Sequence, residues 1–490
     1  MKSSTLLPLN LEPRRKAYLL GAVIVGVIVT SLFVQNLTAY YLIVIPAIVP
    51  VIMWLRAGAA GLPVMAIISA LYFVYYAIPL LRSDIVAYGS DALISAAAVV
   101  GSFLIAASAT SWPFLLWPRR DDRMSAQNVV SDRQLVRLVF IGLAGGILYN
   151  LAQSSEGLNW LGTSLGLVRS IVLTLTSVAC YLLGCARASG ILANERWALA
   201  LASLFALIIF SLSNLLLVGG VMNGLAAILG YVITAKRIPW IGLGLAFAML
   251  SILHAGKFEM RKAYWVPHTQ TLERNSIVQI PGMMVDWVAM GISALENGGQ
   301  ESTVLERTSL LHMLLFVQRT TPGYIPYLDG QTYAMLPSML VPRFVDPDKP
   351  ESQSVLNLLS MRYGLQYAGS AASTTIGWGV VAEAYANYGV LAVVLVGALF
   401  GVLCGVLTRI SVGAPPLSLP MFISIASTLV LFNVELDFSY LMVALAQTLA
   451  AVLACAMIPH LIKGRRRIAA APRAAPFEMD GPRIGDAPPP

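Results

Sequence analysis

Apolar runs of about 20 residues dominate the chain, and that is the length of helix needed to cross the hydrocarbon core of a bilayer. Twelve such runs lie near 17–36, 37–55, 60–81, 91–115, 134–153, 163–185, 197–216, 218–235, 239–255, 388–408, 417–434 and 438–459. Lipid is the only solvent that accommodates them. Of the 490 residues, 58% are hydrophobic and 11% charged, whereas soluble globular domains carry about 45–50% apolar and about 25% charged residues. In hydrocarbon every backbone N–H and C=O must find an internal partner, so runs of this length are read as helices. The expected fold is an all-α polytopic integral membrane protein of about 12 transmembrane helices, with one large extracytoplasmic loop containing short helices.

The basic residues set the orientation. The net charge of +8 is spread between the apolar blocks, a pattern that fits membrane orientation and not a nucleic-acid partner. Arg14, Arg15 and Lys16 precede the first run. That run exceeds the h-region of a signal peptide, so it reads as an uncleaved start-transfer helix. With the N-terminus in the cytoplasm, Arg56, Arg119, Arg120, Arg123, Arg187, Arg196, Lys236, Arg237, Arg409, Lys463 and Arg465 to Arg467 all fall on the cytoplasmic side. Only Arg82 and Arg169 mark the short outer loops and adjoining helix ends. The positive-inside asymmetry therefore holds at every loop and places both termini in the cytoplasm. The expected divisions are a nine-helix membrane region (1–255), a large outer loop (256–376), a three-helix membrane region (377–462) and a cytoplasmic tail (463–490). From about residue 468 that tail is Pro/Ala/Gly-rich and is expected to be disordered. No internal repeat or pair of broken helices is apparent. Cys180, Cys185, Cys404 and Cys455 lie inside apolar runs, as small buried hydrophobes do. The four histidines show no metal-binding spacing.

The long outer segment is where the chemistry is expected. It holds 9 Lys/Arg and 10 Asp/Glu, and a loop this long in a compact protein is either functional or disordered. Its wealth of Tyr, Trp, Leu and Met argues for order. Val304 to Gln318 has helical apolar spacing, and Ile277 to Leu295 reads as an interfacial helix. The densest polar stretch is QRTTPGYIPYLDGQTYAMLPSMLVPRFVDPDKP, from Gln318 to Pro350, with the cations Arg319, Arg343 and Lys349. Guanidinium forks match phosphate oxygens bidentately and lysine adds a point charge, so a lipid-linked diphosphate is one ligand for them. Ion pairing with Asp329, Asp346, Asp348 and Glu351 is the plainer reading. Downstream, GWGVVAEAYANYG leads into an apolar run and places Glu383 where ionisable groups are expensive. Its two readings are a general base and an anchor for a loop arginine. Arg169 is either a further outer cation or a snorkelling side chain. His254, His268 and His312 are possible bases, each more simply structural.

GQTYAMLPSMLVPRFVDPDKP followed by EAYANYG resembles the C-terminal signature of the Wzy-type polymerases, which join O-antigen and exopolysaccharide repeat units in bacterial inner membranes. The similarity covers about 312–408, with only hydropathy and topology matching upstream. Arg319 to Gly330 fits an outer-loop motif of arginine, ten residues and glycine described in some members. A second arginine motif of some members has no counterpart in the short earlier outer loops. The resemblance implies transfer of a growing glycan from undecaprenyl diphosphate onto the sugar of an incoming lipid-linked repeat unit, with no metal and no cofactor. It implies catalytic roles for Glu383, Arg319 and Arg343, and substrate binding by Lys349, Arg169, Gly330, Tyr333, Tyr385 and Asn387. The implied partners are undecaprenyl-diphosphate-linked oligosaccharide, membrane lipid, a chain-length regulator and a flippase; nucleic acid is not among them.

Two alternatives remain open. A ligase moving finished glycan usually relies on a loop histidine, and the polar cluster here has none. A flippase or other transporter would place functional charge at the bilayer midplane in broken helices, whereas the ionisable residues here gather outside the apolar runs.

Overall fold

The computed structural model describes residues 13–469 apart from 83, 117–129, 155–156, 159, 162–164, 214, 216, 265–278, 297–308, 344 and 368–375. His268, the cations Arg119, Arg120 and Arg123, the start of the expected Val304–Gln318 helix and the tail beyond 469 lie outside the described residues. Helices make up the described chain, and no strand occurs in it. In order they are α1 (Pro13–Ser31), α2 (Leu37–Arg56), α3 (Val64–Leu81, whose last turns are π and 3-10), α4 (Ser90–Leu116), α5 (Asp132–Ser154), α6 (Leu165–Ala188), α7 (Asn194–Leu212), α8 (Leu217–Ala235) and α9 (Trp240–Tyr264). The long segment contributes α10 (Ile280–Glu296), α11 (Leu310–Thr320), the short α12 (Gln331–Ala334) and α13 (Leu336–Leu340), and α14 (Ser354–Arg362). Helices α15 (Val380–Ser411), α16 (Leu419–Leu431) and α17 (Phe438–Ala469) close the fold. Residues 1–452 form one compact unit, and 453–490 form a second that is described only as the end of α17.

Ten of these helices are long and apolar enough to cross a membrane, so the protein is an all-α polytopic membrane protein. The remaining two of the twelve expected runs form shorter apolar helices, Lys16–Ser31 and Leu419–Leu431. At 1.5 Å per residue the 13 residues of α16 rise about 20 Å, against a hydrocarbon core of about 30 Å. Pro420 occupies the first turn of α16 and fixes its start. Two boundaries also move. Helix α9 runs on from the expected 255 to Tyr264, taking Lys257 and Arg261 into the helix, and α15 starts at Val380 instead of 388. Hydropathy places span ends at charges, whereas a helix continues wherever its charged face finds polar neighbours.

Without a hydrophobic drive between helices in lipid, close approach at small residues holds such bundles together. The α4–α15 crossing shows this. A Cβ on Gly401 would run into the carbonyl of Ala107, and one on Gly397 would sit 2.7 Å from the carbonyl oxygen of Phe103. The Thr110 hydroxyl donates across the seam to the Ala398 carbonyl at 2.7 Å. Helices α6 and α8 meet in the same way at Gly184 and Gly230. Helix α10 pairs with α9 through Gly256 and Gly291, with the Trp287 indole donating to the Leu253 carbonyl at 2.7 Å. It thus doubles back along α9, a tighter association than the interfacial helix expected for this stretch.

Candidate functional site

The polar groups converge where α15 and α17 begin. Glu383 lies in the first turn of α15 and is fully buried, as are Val380, Val381, Ala382, Ala384, Ala386 and Asn387 around it. Its Oε2 accepts a hydrogen bond from the backbone N–H of Phe438 at 2.7 Å, which ties α15 to the start of α17. The preceding residue, Asp437, is also fully buried and caps α17, accepting from the Tyr440 N–H at 2.8 Å. Capping is expected of an aspartate at this position, since the first amides of a helix have no partner within it.

The long segment supplies the third wall. Asn387 sits one turn beyond Glu383, and its Nδ2 donates to the Thr332 hydroxyl and to the Glu383 carbonyl, both at 2.9 Å. Thr332 in turn places its hydroxyl within hydrogen-bonding reach of the Glu383 carboxylate. The Ser439 hydroxyl donates to the Thr332 carbonyl at 3.4 Å, and the Leu328 N–H to the Ala386 carbonyl at 3.0 Å. Tyr333 packs edge-on against Phe438, with ring centres 5.9 Å apart.

Two glycines let these pieces nest. Helix α15 breaks at Tyr388 and Gly389, the latter at φ 64° and ψ −147°, and a Cβ there would lie 3.0 Å from the Tyr327 hydroxyl. Gly330 has φ 83°, and a Cβ on it would lie 2.7 Å from the Tyr388 hydroxyl. Left-handed backbone beside an aromatic hydroxyl leaves room for glycine alone.

The electrostatics are unusual for a buried cluster. Glu383 Oε1, Asp437 Oδ2, Asn387 Oδ1 and the Tyr333 hydroxyl are all buried without a hydrogen-bond partner. Burial pushes the Asp437 carboxyl above the ordinary aspartate range, against backbone amides that pull it down. The Tyr333 hydroxyl is pushed well above its usual value, first by burial and then by the charges of Glu383 and Asp437. Beside this cluster, the Glu435 carbonyl accepts from the Gly379 N–H at 2.8 Å, and its Oε2 from the Tyr75 hydroxyl at 3.4 Å. Burial raises the Glu435 carboxyl too, with Lys257 of α9 opposing that shift.

Of the residues expected at the site, the structure brings together Glu383, Asn387, Tyr333 and Gly330. Tyr385 lies alongside, in hydrogen-bonding contact with Gln318 and Tyr327. Arg319, next to Gln318 on α11, is exposed. The two remaining loop cations serve the loop itself: half-buried Arg343 donates to the Pro347 carbonyl at 3.3 Å, and Lys349 Nζ to the carbonyls of Met339, at 2.7 Å, and Val341. Arg169 is exposed in the first turns of α6, within electrostatic reach of Tyr440. The group that Glu383 anchors is the amide of Phe438, not an arginine. Sequence reasoning missed Asp437, Glu435 and Thr332. The signal for the acids was FNVELDFS, two carboxylates between adjacent apolar runs, which a count of basic residues passes over. Among the described residues, no group of three or more His, Cys, Asp or Glu side chains is placed to hold a metal ion.

No family model, no curated protein and no solved structure matches the chain.

Proposed function

We propose that this protein is a polymerase of polyprenyl-diphosphate-linked oligosaccharides, acting at the outer face of a bacterial inner membrane with both termini in the cytoplasm. One observation carries the reading. The two stretches that resemble the Wzy-type signature, GQTYAML and EAYANYG, are bonded to each other through Thr332 and Asn387 at one end of the bundle. A lipid-linked substrate presents its diphosphate near such a helix end, where the exposed Arg319 stands on α11.

In this reading an acceptor sugar hydroxyl attacks the anomeric carbon of the donor glycan. The new glycosidic C–O bond forms, the bond to the diphosphate breaks, and the hydroxyl proton leaves with a base or water. Charge develops on the departing polyprenyl diphosphate, and Arg319 stabilises it through a bidentate contact, with Arg343 and Lys349 adding positive potential. Glu383 is enclosed and bonded to backbone, so its part is to position: it fixes the start of α17 and, through Thr332 and Asn387, the loop that carries the arginine motif. In this reading no divalent metal takes part in the bond-making step. A flippase supplying the substrate and a chain-length regulator are the partners this activity needs.

The test is polymer formation by the purified protein from lipid-linked repeat units, with and without EDTA. Arg319→Ala should lower the rate about 10²–10³-fold, the usual effect of removing one charge-stabilising donor, while leaving the melting temperature unchanged. Arg319→Lys should recover little, because the fork is lost. Full activity in Arg319→Ala, or loss of polymer in EDTA with restoration by Mg²⁺, would refute this assignment.

A further inference from the structure

Two carboxylates are buried side by side where α15 and α17 begin, and the hydrogen bonds that reach them come from backbone amides. Buried polar groups almost always find partners, so each exception in a folded protein calls for an explanation, an ion among them. Here the exceptions cluster. Glu383 Oε1, Asp437 Oδ2 and Asn387 Oδ1 are acceptors with no donor, on residues that are 0% exposed, and the Tyr333 hydroxyl oxygen joins them. The amide orientation of Asn387 is fixed, because its Nδ2 is the atom that donates to the Glu383 carbonyl. Its Oδ1 is therefore an acceptor in a cluster already rich in them.

The helix break adds an independent indication. Tyr388 and Gly389 leave helical geometry one residue after Asn387. Discontinuous helices in membrane proteins coordinate monovalent cations through freed carbonyls beside buried side chains. Charge balance points to the valence. Glu383 lies in the first turn of α15 and Asp437 caps α17, and a helix N-terminus carries about half a positive charge. Two termini offset about one of the two negative charges, which leaves about one for an ion to balance. Ca²⁺ takes 6–8 oxygen ligands and Mg²⁺ keeps several waters, whereas this enclosed cluster offers four side-chain oxygens.

We propose that Glu383, Asp437, Asn387 and Tyr333 form a binding site for a monovalent metal cation, sodium, that joins the start of α15, the start of α17 and the 331–334 turn. The site does not depend on the polymerase reading. Bound sodium neutralises the cluster and holds the Arg319–Gly330 loop in place through Thr332. Chelation by EDTA leaves it untouched.

The experiment uses the purified full-length protein in detergent at constant ionic strength, with choline replacing sodium. Raising sodium from about 1 mM to about 100 mM should lift the melting temperature by several degrees, as mass action requires for an ion bound only by the folded state. Potassium should do less. Glu383→Gln and Asp437→Asn should abolish the sodium-dependent part of the rise. Binding of radioactive sodium to the wild-type protein, saturable and displaced by unlabelled sodium but not by choline, gives a readout that needs no variant to fold. Identical melting curves in sodium and choline together with no saturable binding would overturn the proposal. A larger stabilisation by Ca²⁺ or Mg²⁺ at millimolar levels would overturn the assignment to a monovalent ion. Melting and sodium binding are read without any turnover, so failure of the site and failure of the polymerase reading are told apart.

Discussion

Helix α15 is two structures joined at Tyr388 and Gly389. Beyond the break, Gly397 and Gly401 press against the backbone of α4, and the Thr110 hydroxyl crosses to the Ala398 carbonyl. That half is held by shape, and its polar contacts with neighbouring helices, from Thr110 to the Ala398 carbonyl and from Ser424 to the Leu407 carbonyl at 2.9 Å, are satisfied. Before the break, the same helix buries Glu383 and Asn387 with oxygens left unpartnered. Packing alone would favour an apolar residue at 383, since removing a buried charge in favour of a well-packed hydrophobe is often neutral or stabilising. The first half thus carries buried polar oxygens that its hydrogen bonds leave unpartnered, as expected of a site.

Filling the α4–α15 seam should have the largest effect. Gly401→Leu drives a side chain into the Ala107 carbonyl, a backbone atom that cannot rotate away. Ordinary overpacking costs about 1–3 kcal/mol, and a backbone clash exceeds that. The expected outcome is loss of monodisperse protein on size exclusion. Wild-type behaviour would mean that the two helices separate more readily than their packing implies.

On the other side of the break the effects are local. Thr332→Ala removes the hydroxyl that accepts from Asn387 and reaches Glu383. Leaving a buried donor with one bond fewer costs about 1–3 kcal/mol. Hydrogen exchange should accelerate over 328–340 while the α4–α15 seam stays protected. Uniform acceleration through both regions would show that the loop and the bundle unfold as one unit.

How much of this was legible beforehand follows the same division. The apolar half of α15 was plain in the sequence because lipid contact demands a continuous hydrophobic run. Glu383 was singled out because an ionisable group is expensive beside such a run, and Asn387 only because the EAYANYG stretch resembles a family signature. Their partners were hidden: Asp437 is distant in sequence, and only the fold sets it against Glu383. The break at Gly389 was hidden as well, since it contains no proline and depends on Tyr327 lying over it. Arg343 and Lys349 stood out as cations for a ligand, yet the structure bonds them to carbonyls of their own loop. A sequence shows the charge on a side chain but not the backbone oxygen it will meet.

The smallest predicted effect is a pH dependence confined to the first half of α15 and its partners. Burial raises the carboxyls of Asp437 and Glu435 above their ordinary values. A group whose pKa rises on folding binds its proton more tightly in the folded state, so its contribution is fully present below the unfolded value. That contribution is lost as pH climbs through the folded value. For Asp437 the loss begins above about 3.9, the value of an unperturbed aspartate. In sodium-free buffer the melting temperature should therefore fall by a few degrees between about pH 4 and about pH 7. Asp437→Asn should flatten part of that slope, because an amide does not titrate. Sodium should flatten it too, since a bound cation favours the charged carboxylates. The α4–α15 seam has no titrating group in its glycine contacts, so seam variants that fold should keep the wild-type slope. A melting temperature that rises over this range, or a slope unchanged in Asp437→Asn, would show that this aspartate does not govern the acid response.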